Sequence, residues 1–245
     1  MIFRKIKRKV CSKISLFLDI IKKRVLKNYN ENFKVLNVGG ADIIKDNWRS
    51  LDFRSKYYDY PLILIDYNID LEEREKWPIE NNSYDLIYCS HLFEHLSLKT
   101  TQFIQKEMYR ILKPGGGLRI VVPNMELALQ HYGDQEWWKI HFPRMDWRDA
   151  FLFFFASSLV GKLNYDKNLE LDYYIKQITD KSQEDNPGNH RNWFTFKKIE
   201  KLLKEAGFVQ IEKSQHRQSR FTEFCRKGVD NSAKELSLYV DALKE

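Results

Sequence analysis

The sequence predicts an α/β fold with a mostly parallel sheet. An apolar run from Tyr84 to Cys89 suits a buried strand. Apolar residues then recur at helix spacing from Phe103 up to Lys113, where Pro114-Gly115-Gly116 stops the helix, and a second apolar run covers Leu118 to Val122. Such units join parallel strands, and ligands bind beyond the carboxyl ends of these strands. We therefore expect site residues between Ser90 and His95.

The composition favours one α/β domain with an insertion. The chain has 245 residues, of which 43% are hydrophobic, so it can bury a sizeable core. Its three cysteines, Cys11, Cys89 and Cys225, have neither metal-binding nor disulfide-framework spacing. This pattern favours a reducing, cytoplasmic setting.

Residues 1–30 predict a basic amphipathic helix. Residues 1–27 hold ten Lys or Arg residues and a single acid, Asp19. Their apolar residues recur every three or four positions, but no run is long enough to cross a membrane and no signal-peptide cleavage site follows. The helix could dock on its own domain, or residues 1–27 could contact the inner face of an anionic membrane peripherally or bind a partner.

Two predicted strands end in residues that suit a nucleoside ligand. The strand Phe33 to Val38 is followed by Gly39-Gly40-Ala41-Asp42, and a glycine pair lets the backbone approach a ligand closely. The strand Trp48 to Phe53 carries Asp52 near its end, where a carboxylate can accept hydrogen bonds from both ribose hydroxyls. The alternative for Asp52 is an ordinary turn aspartate.

The remaining elements are predicted from local patterns. Leu62 to Ile65 suits a third strand, after which Asp70 and Leu71 could contact an adenine, or Asp70 could cap a helix. A helix is expected from Thr195 through Ala206 with Gly207 as its C-cap. Two further strands are expected at Phe208 to Lys213 and Ser237 to Ala242.

Five motifs follow one another along the chain: LNVGG, Leu51-Asp52, Asp70-Leu71, YDLIYCSHLFEHL and LKPGGGLRIVVPN. In this order they resemble the motifs of class I S-adenosylmethionine-dependent methyltransferases, and of the small bacterial enzymes of surface-polysaccharide biosynthesis in particular. The resemblance covers residues 33–124 closely and 190–244 loosely. It implies a Rossmann-like, seven-stranded, mostly parallel sheet with helices on both faces, and S-adenosyl-L-methionine as cofactor. Residues 31–245 would form this methyltransferase domain.

The resemblance also implies the cofactor-binding residues. Gly39 and Gly40 would lie against the methionine part, Asp52 would bind the ribose, and Asp70 with Leu71 would bind the adenine. The full implied set is Asn37, Gly39, Gly40, Ala41, Asp52, Asp70, Leu71, Ser90 and His91. The loop departs from the family pattern, because Asn37 replaces an acid while Ala41 and Ile43 stand where glycines are common.

The segment His91-Leu92-Phe93-Glu94-His95 also matches the HxxEH zinc signature of inverted metalloproteases. That signature needs both histidines on one face of a long helix and a third ligand downstream, whereas here it follows a buried strand directly. We therefore predict no metal site. Glu94 and His95 are expected to cap or pack the start of the helix, unless His95 reaches the acceptor.

The insertion at residues 125–190 is rich in aromatic residues and is predicted to form a lid over the acceptor site. The alternative is a satellite core, since aromatic residues at helical spacing often serve packing alone. A sugar hydroxyl acceptor would need a general base, for which His190 and then His95 are the candidates. An anionic phosphoryl acceptor would need none. Predicted substrate-binding residues are Arg191, Trp193, Arg217 and Arg220.

We therefore predict a cytoplasmic methyltransferase that O-methylates a sugar hydroxyl or a phosphoryl or phosphoramidate group in bacterial capsule or surface-glycan biosynthesis. Its acceptor would be a small molecule or a glycan precursor. Nucleic acid is not expected as a partner, because Ser90-His91-Leu92-Phe93 replaces the Asp/Asn-Pro-Pro-aromatic loop of adenine methylation and Cys89 lacks a preceding proline. The alternatives are a membrane lipid or quinone acceptor, and a non-catalytic binding module.

Overall fold

The computed structural model describes residues 32–40, 45, 47–54, 65–156, 188–230 and 234–245. The predicted N-terminal helix, Ala41 with Ile43, and residues 157–187 of the insertion lie outside these ranges.

Seven strands of the described residues form one sheet in the order β3-β2-β1-β4-β5-β7-β6. β1, β2, β3, β4 and β5 are parallel to their neighbours in this group, whereas β7 runs antiparallel to both β5 and β6. The predicted Rossmann-like, mostly parallel sheet is confirmed. The strands are β1 Val35–Val38, β2 Trp48–Asp52, β3 Tyr67–Asn68, β4 Tyr84–Ser90, β5 Leu112–Pro123, β6 Val209–Ser214 and β7 Ser237–Leu243.

The described α-helices lie between these strands in the sequence, and side-chain caps define several of their ends. Ser97 caps the first helix by accepting a hydrogen bond from the Thr100 amide. Thr195 caps the last one in the same way, and Gly207 ends it in the left-handed conformation, as predicted. The helices are α1 Leu98–Ile111, α2 Met125–Gln130, α3 Gln135–His141, α4 Trp147–Ala156 and α5 Phe196–Ala206.

Several predicted element boundaries were wrong, among them the start of β5, which was expected at Leu118 and lies at Leu112. The third strand is Tyr67–Asn68, and Ile65 at the end of the predicted strand is not part of it, while residues 62–64 lie outside the described residues. α1 ends at Ile111 and not at Lys113. Pro114 disfavours the helical conformation in the residue before it, and the chain enters β5 directly after α1. The segment from Lys113 to Gly116 then lies at a register shift between β4 and β5.

Both faces of the sheet are buried, as expected for parallel strands. On β4, Ile87 and Cys89 face one core cluster while Leu86 and Tyr88 face another with Trp48. Burial raises the pKa of the Cys89 thiol well above its usual range, so this cysteine is an inert core residue.

The helices after β5 build a separate aromatic core. Trp138 of α3 and Phe151 of α4 are both almost fully buried, and their rings lie 5.7 Å apart. Trp138 also donates from its indole nitrogen to the His131 carbonyl at 2.7 Å. These residues therefore form a satellite core that stabilises the insertion, which was the alternative considered for its aromatic residues.

Candidate active site

The glycine turn after β1 lies at the carboxyl edge of the sheet and is held tightly. Gly39 has a φ of +77°, and a Cβ there would lie 2.8 Å from the Leu92 side chain, so only glycine fits. Its amide donates to the Leu51 carbonyl of β2 at 2.8 Å. Asn37 is buried and donates from its side-chain nitrogen to the Gly40 carbonyl. The buried side chain of Asn37 therefore stabilises the conformation of the glycine turn.

Asp52 ends β2 beside this turn. Its Oδ1 atom accepts a hydrogen bond from the Phe53 amide at 2.7 Å, and it stands opposite Asn68 of β3. Because Leu51 pairs with Val38, Asp52 at the end of β2 and Gly39 directly after β1 lie at the same level of the sheet. Asp52 thus lies near the end of its strand, as predicted, and its binding to the ribose stays a prediction.

Asp70 begins a 3-10 turn at Leu71–Glu73, where its side chain accepts from the Glu72 amide at 3.0 Å. The capping role considered for Asp70 is therefore present in the structure. Glu72, which the sequence analysis did not single out, accepts hydrogen bonds from the Ser97 amide at 3.0 Å and from the Thr100 hydroxyl at 2.6 Å. It connects the Asp70 turn to the start of α1.

His91 follows β4 directly and adopts a φ of +50°. Its Nδ1 atom lies 2.9 Å from Oε1 of Glu94, and its Nε2 atom lies 3.2 Å from the Ser237 hydroxyl. Of the two roles expected for Glu94 and His95, capping or packing at the start of the helix, capping is not seen, because Ser97 caps α1. Glu94 instead turns inward from the 3-10 turn Phe93–His95 and is only 1% exposed.

Glu94, His95 and His190 form a cluster that joins this turn to the loop before α5; we call it the imidazole–carboxylate cluster. Nε2 of His95 lies 4.0 Å from Oε1 of Glu94, and the two imidazole rings meet edge to face at 5.0 Å. Nδ1 of His95 lies 3.2 Å from the Asn189 carbonyl, and Nδ1 of His190 lies 3.3 Å from the Phe155 carbonyl. Both histidines were predicted as site residues from the sequence, but the proximity of the Glu94 carboxylate to both of them was not.

Burial and neighbouring charges set the ionisation of the cluster. Burial opposes ionisation of Glu94, but the hydrogen bond from His91 and the nearby histidines outweigh it and lower the pKa of its carboxyl to about 2. Burial lowers the pKa of the His190 imidazole to about 4, against the opposing effect of Glu94. At neutral pH the cluster therefore combines a carboxylate with a neutral His190 ring.

The loop that carries His190 is tied to the cluster by its backbone. The amides of Arg191 and Asn192 donate to the Glu94 carbonyl at 2.7 and 3.1 Å. The Arg191 guanidinium pairs with Glu72 at 3.0 Å, so it connects the Asp70 turn to this loop. Trp193 is 42% exposed, and its indole contacts the ring of Phe155 in α4 at a centroid distance of 4.8 Å.

A family profile described as a methyltransferase domain matches residues 3–213, which is most of the chain. The chain belongs to this family. It carries the methyltransferase domain that the sequence predicted, and S-adenosyl-L-methionine is the cofactor expected for it. No curated protein matches the methyltransferase significantly.

Solved structures resemble the methyltransferase at low identity. Phosphoethanolamine N-methyltransferase 2 from Haemonchus contortus, in complex with S-adenosyl-L-methionine, has 16% identity and a TM-score of 0.42, over 92% of this chain and 51% of that one. This chain thus spans about half the length of the Haemonchus enzyme. A methyltransferase from Archaeoglobus fulgidus has 12% identity and a TM-score of 0.47, over 94% and 92% of the two chains. TM-scores below 0.5 carry no information on the acceptor.

Two of the predicted substrate-binding residues of the methyltransferase, Arg217 and Arg220, lie away from the imidazole–carboxylate cluster that follows β4. Arg220 pairs with Glu212 of β6 at 3.0 Å and donates to Gln210 at 2.9 Å. β6 is the third strand from β4, at a distance of about 14 Å. Arg217 lies in the loop after β6, where its amide donates to Asp230 at 2.9 Å.

None of the described helices of the methyltransferase is both long and apolar enough to cross a membrane.

Proposed function

We propose that this methyltransferase transfers the methyl group to an oxygen of a sugar or phosphoryl group in bacterial capsule or surface-glycan biosynthesis. The observation that carries this proposal is the position of His190. Its Nδ1 atom faces the Phe155 carbonyl, which can only accept, so Nδ1 carries the proton and Nε2 keeps its lone pair. A ring in this state can take a proton from a hydroxyl acceptor.

The chemistry needs little beyond alignment, exclusion of water and removal of one proton. The methyl group on the sulfonium of the cofactor is already activated, so transfer is an in-line displacement by the acceptor oxygen. The oxygen loses its proton to Nε2 of His190 as the bond to carbon forms and the carbon–sulfur bond breaks. Glu94 then faces the resulting imidazolium, and His95 is the second candidate for the base.

Aromatic and charged side chains surround His190, and this combination favours an acceptor that is polar but has one apolar face. Trp193 exposes part of its indole beside the imidazole–carboxylate cluster, and an indole suits the apolar face of a sugar ring while its nitrogen remains a donor. Phe155 of the insertion contacts both Trp193 and His190. This contact supports residues 125–190 as one wall of the acceptor site. Arg191 holds the loop through Glu72 and would help to position a phosphoryl group.

The cofactor would extend along the carboxyl edge of the sheet from the Asp70 turn to Ser90 and His91. Gly39 and Gly40 would face its methionine part and Asp52 its ribose. Asp70 and Leu71 would contact the adenine while Asp70 keeps its capping bond. The resulting order of groups along the edge matches the order of the strands β2, β1 and β4.

Methyl transfer from labelled S-adenosylmethionine to a panel of nucleotide sugars and phosphorylated glycan precursors tests this function. We expect turnover on at least one hydroxyl acceptor, and we expect His190→Ala to lower kcat by about 10²- to 10⁴-fold without changing cofactor affinity. The matched control is His216→Ala, which removes an imidazole near Tyr239. Full activity of His190→Ala would rule out the base assignment, and inactivity on every glycan precursor would rule out the acceptor class.

A membrane lipid or quinone acceptor is the second candidate, favoured by exposed apolar side chains on the insertion helices. Ile140 is 75% exposed and Leu129 54% exposed. Together with the basic helix predicted for residues 1–27, they would place a cytoplasmic enzyme peripherally on an anionic membrane. Co-sedimentation with phosphatidylglycerol vesicles tests this: the full chain should bind, and Ile140→Ser with Leu129→Ser should weaken binding. An intact chain that ignores the vesicles would exclude this candidate.

A further inference from the structure

The buried carboxylate of Glu94 has one oxygen with a partner and one without. Oε1 accepts from His91, whereas Oε2 is buried and has no hydrogen-bond partner among the described residues. A buried carboxylate oxygen without a partner costs free energy, so such an atom points to a group that binds there. The residue as a whole is 1% exposed, which excludes bulk water as an adequate partner.

The two histidines of the imidazole–carboxylate cluster are held in the tautomer that metal ligands need. Nδ1 of each ring faces a backbone carbonyl, at 3.2 Å for His95 and 3.3 Å for His190. A carbonyl oxygen only accepts, so the proton of each neutral ring lies on Nδ1 and the lone pair on Nε2. Histidines that bind metals are commonly oriented by this second hydrogen bond.

The spacing of the cluster suits one ion. Ligand atoms of Glu94, His95 and His190, one from each side chain, lie within 4.8 Å of one another. Zinc binds nitrogen and oxygen ligands at about 2.0–2.2 Å, which places them about 3–4 Å apart, so the widest separation needs to close by about 1–2 Å. A cavity of about 10 Å³ adjoins Glu94 and His190, which is room for about one water-sized particle.

The cluster is also held together independently of any ligand. The Glu94 carbonyl accepts both the Arg191 and the Asn192 amide, so the turn that carries Glu94 and His95 is fixed to the loop that carries His190. Ligands that are positioned in advance lose less conformational entropy when an ion binds. Nothing in this arrangement uses His91 as a ligand, because its two ring nitrogens face Glu94 and the Ser237 hydroxyl.

We propose that Glu94, His95 and His190 bind a divalent transition-metal ion, Zn²⁺, through one carboxylate oxygen and two imidazole Nε2 atoms. Two histidines and one carboxylate form a donor set of zinc sites that keep the fourth position open. The residues of the HxxEH motif that bind the metal therefore differ from those in the inverted metalloproteases. Its last two residues are ligands, and the third ligand comes from the distant loop.

Metal binding has a consequence for methyl transfer that rests on the proposed function. The Nε2 lone pair of His190 can accept a proton from the acceptor or bind an ion, but not both. Zinc loading should therefore inhibit transfer to a hydroxyl acceptor, and chelation should restore it. The binding itself is independent of the acceptor, and its test needs neither cofactor nor acceptor.

Titration of the metal-free full chain with Zn²⁺ in a calorimeter, and with Co²⁺ followed by visible absorption, tests the site. We expect one equivalent to bind, with an affinity reduced by more than about tenfold in Glu94→Gln and in His190→Ala. The Co²⁺ spectrum should show low-symmetry coordination with nitrogen ligands in the wild type and should lose it in both variants. Glu94→Gln keeps the shape of the side chain, and thermal unfolding verifies that each variant is folded.

His131→Ala is the matched control, because His131 lies outside the cluster beside Asp134 at 3.1 Å. It should bind zinc like the wild type. The proposal is overturned if the wild type binds no stoichiometric zinc, if all variants bind equally, or if His131→Ala loses binding as Glu94→Gln does. Should Glu94→Gln fail to fold, His190→Ala decides, since His190 lies on a loop. Failure of the zinc proposal would not affect methyl transfer by the zinc-free enzyme, so it is distinguishable from failure of the proposed function.

Discussion

The imidazole rings of His95 and His190 meet edge to face, with their centroids 5.0 Å apart. One ring follows β4 and the other precedes α5, so the contact exists only because the loop before α5 returns to the carboxyl edge of the sheet. The carboxylate of Glu94 is buried and lies within 4.8 Å of a ring nitrogen of each histidine. This contact joins two residues that the sequence suggested separately, and it defines where an acceptor proton or a metal ion could bind.

Asp52→Ala should weaken cofactor binding by about 1–3 kcal/mol, because it removes hydrogen bonds between the ribose hydroxyls and a charged group. Calorimetric titration with S-adenosylhomocysteine measures this directly. Asp85→Ala is a suitable control, since Asp85 lies at the amino end of β4 and pairs with Lys113 at 2.7 Å. Unchanged affinity in Asp52→Ala would contradict the ribose assignment.

Asp70→Ala should reduce the free energy of unfolding by about 0.5–2 kcal/mol, because the Glu72 amide loses its cap. Asp70→Asn should retain most of this stability, since asparagine caps equally well. Urea unfolding of both variants provides the measurement. If both variants lose the same stability, the charge of Asp70 matters more than the capping bond.

Arg119→Met should destabilise the fold by about 3–5 kcal/mol, because it leaves two buried carboxylates without their cation. Arg119 pairs with Asp230 at 2.9 Å and with Asp241 at 2.8 Å, and all three side chains are fully buried. Arg220→Met, which breaks the exposed pair with Glu212, should cost less than about 1 kcal/mol. Chemical unfolding compares the two, and similar losses would show that burial is not the decisive factor.

The stability contributed by Glu107 should disappear in acid. Burial raises the pKa of its carboxyl, but hydrogen bonds from Arg110 and the Trp77 amide outweigh this and lower the pKa below its usual value. The contribution is complete above the pKa of the unfolded chain, about 4.3, and is lost as the pH falls through the lower folded pKa. The difference in unfolding free energy between wild type and Glu107→Gln should therefore shrink below about pH 5. A constant difference down to pH 3 would contradict this.

Local patterns in the sequence were sufficient for most of the framework. Apolar runs with flanking turn residues located β1, β4 and β7 within about two residues, since buried strands need such runs whatever surrounds them. Thr195 and Gly207 located the ends of α5 because capping depends on neighbours in the chain. β3 was misplaced because Tyr67–Asn68 is too short to show any periodicity.

The sequence by itself determined the family and the order of the strands, and it predicted where the cofactor would bind, because all of these depend on short motifs in a fixed order. Only the tertiary structure decided the partners of the polar side chains. Glu94 could not be separated from a helix cap until the fold brought His190 to it. Arg220 could not be separated from a phosphate ligand until Glu212 of β6 was seen to pair with it. The physical reason is that a side chain's charge and hydrogen bonds are set by neighbours in space, and these neighbours come from segments far apart in the chain.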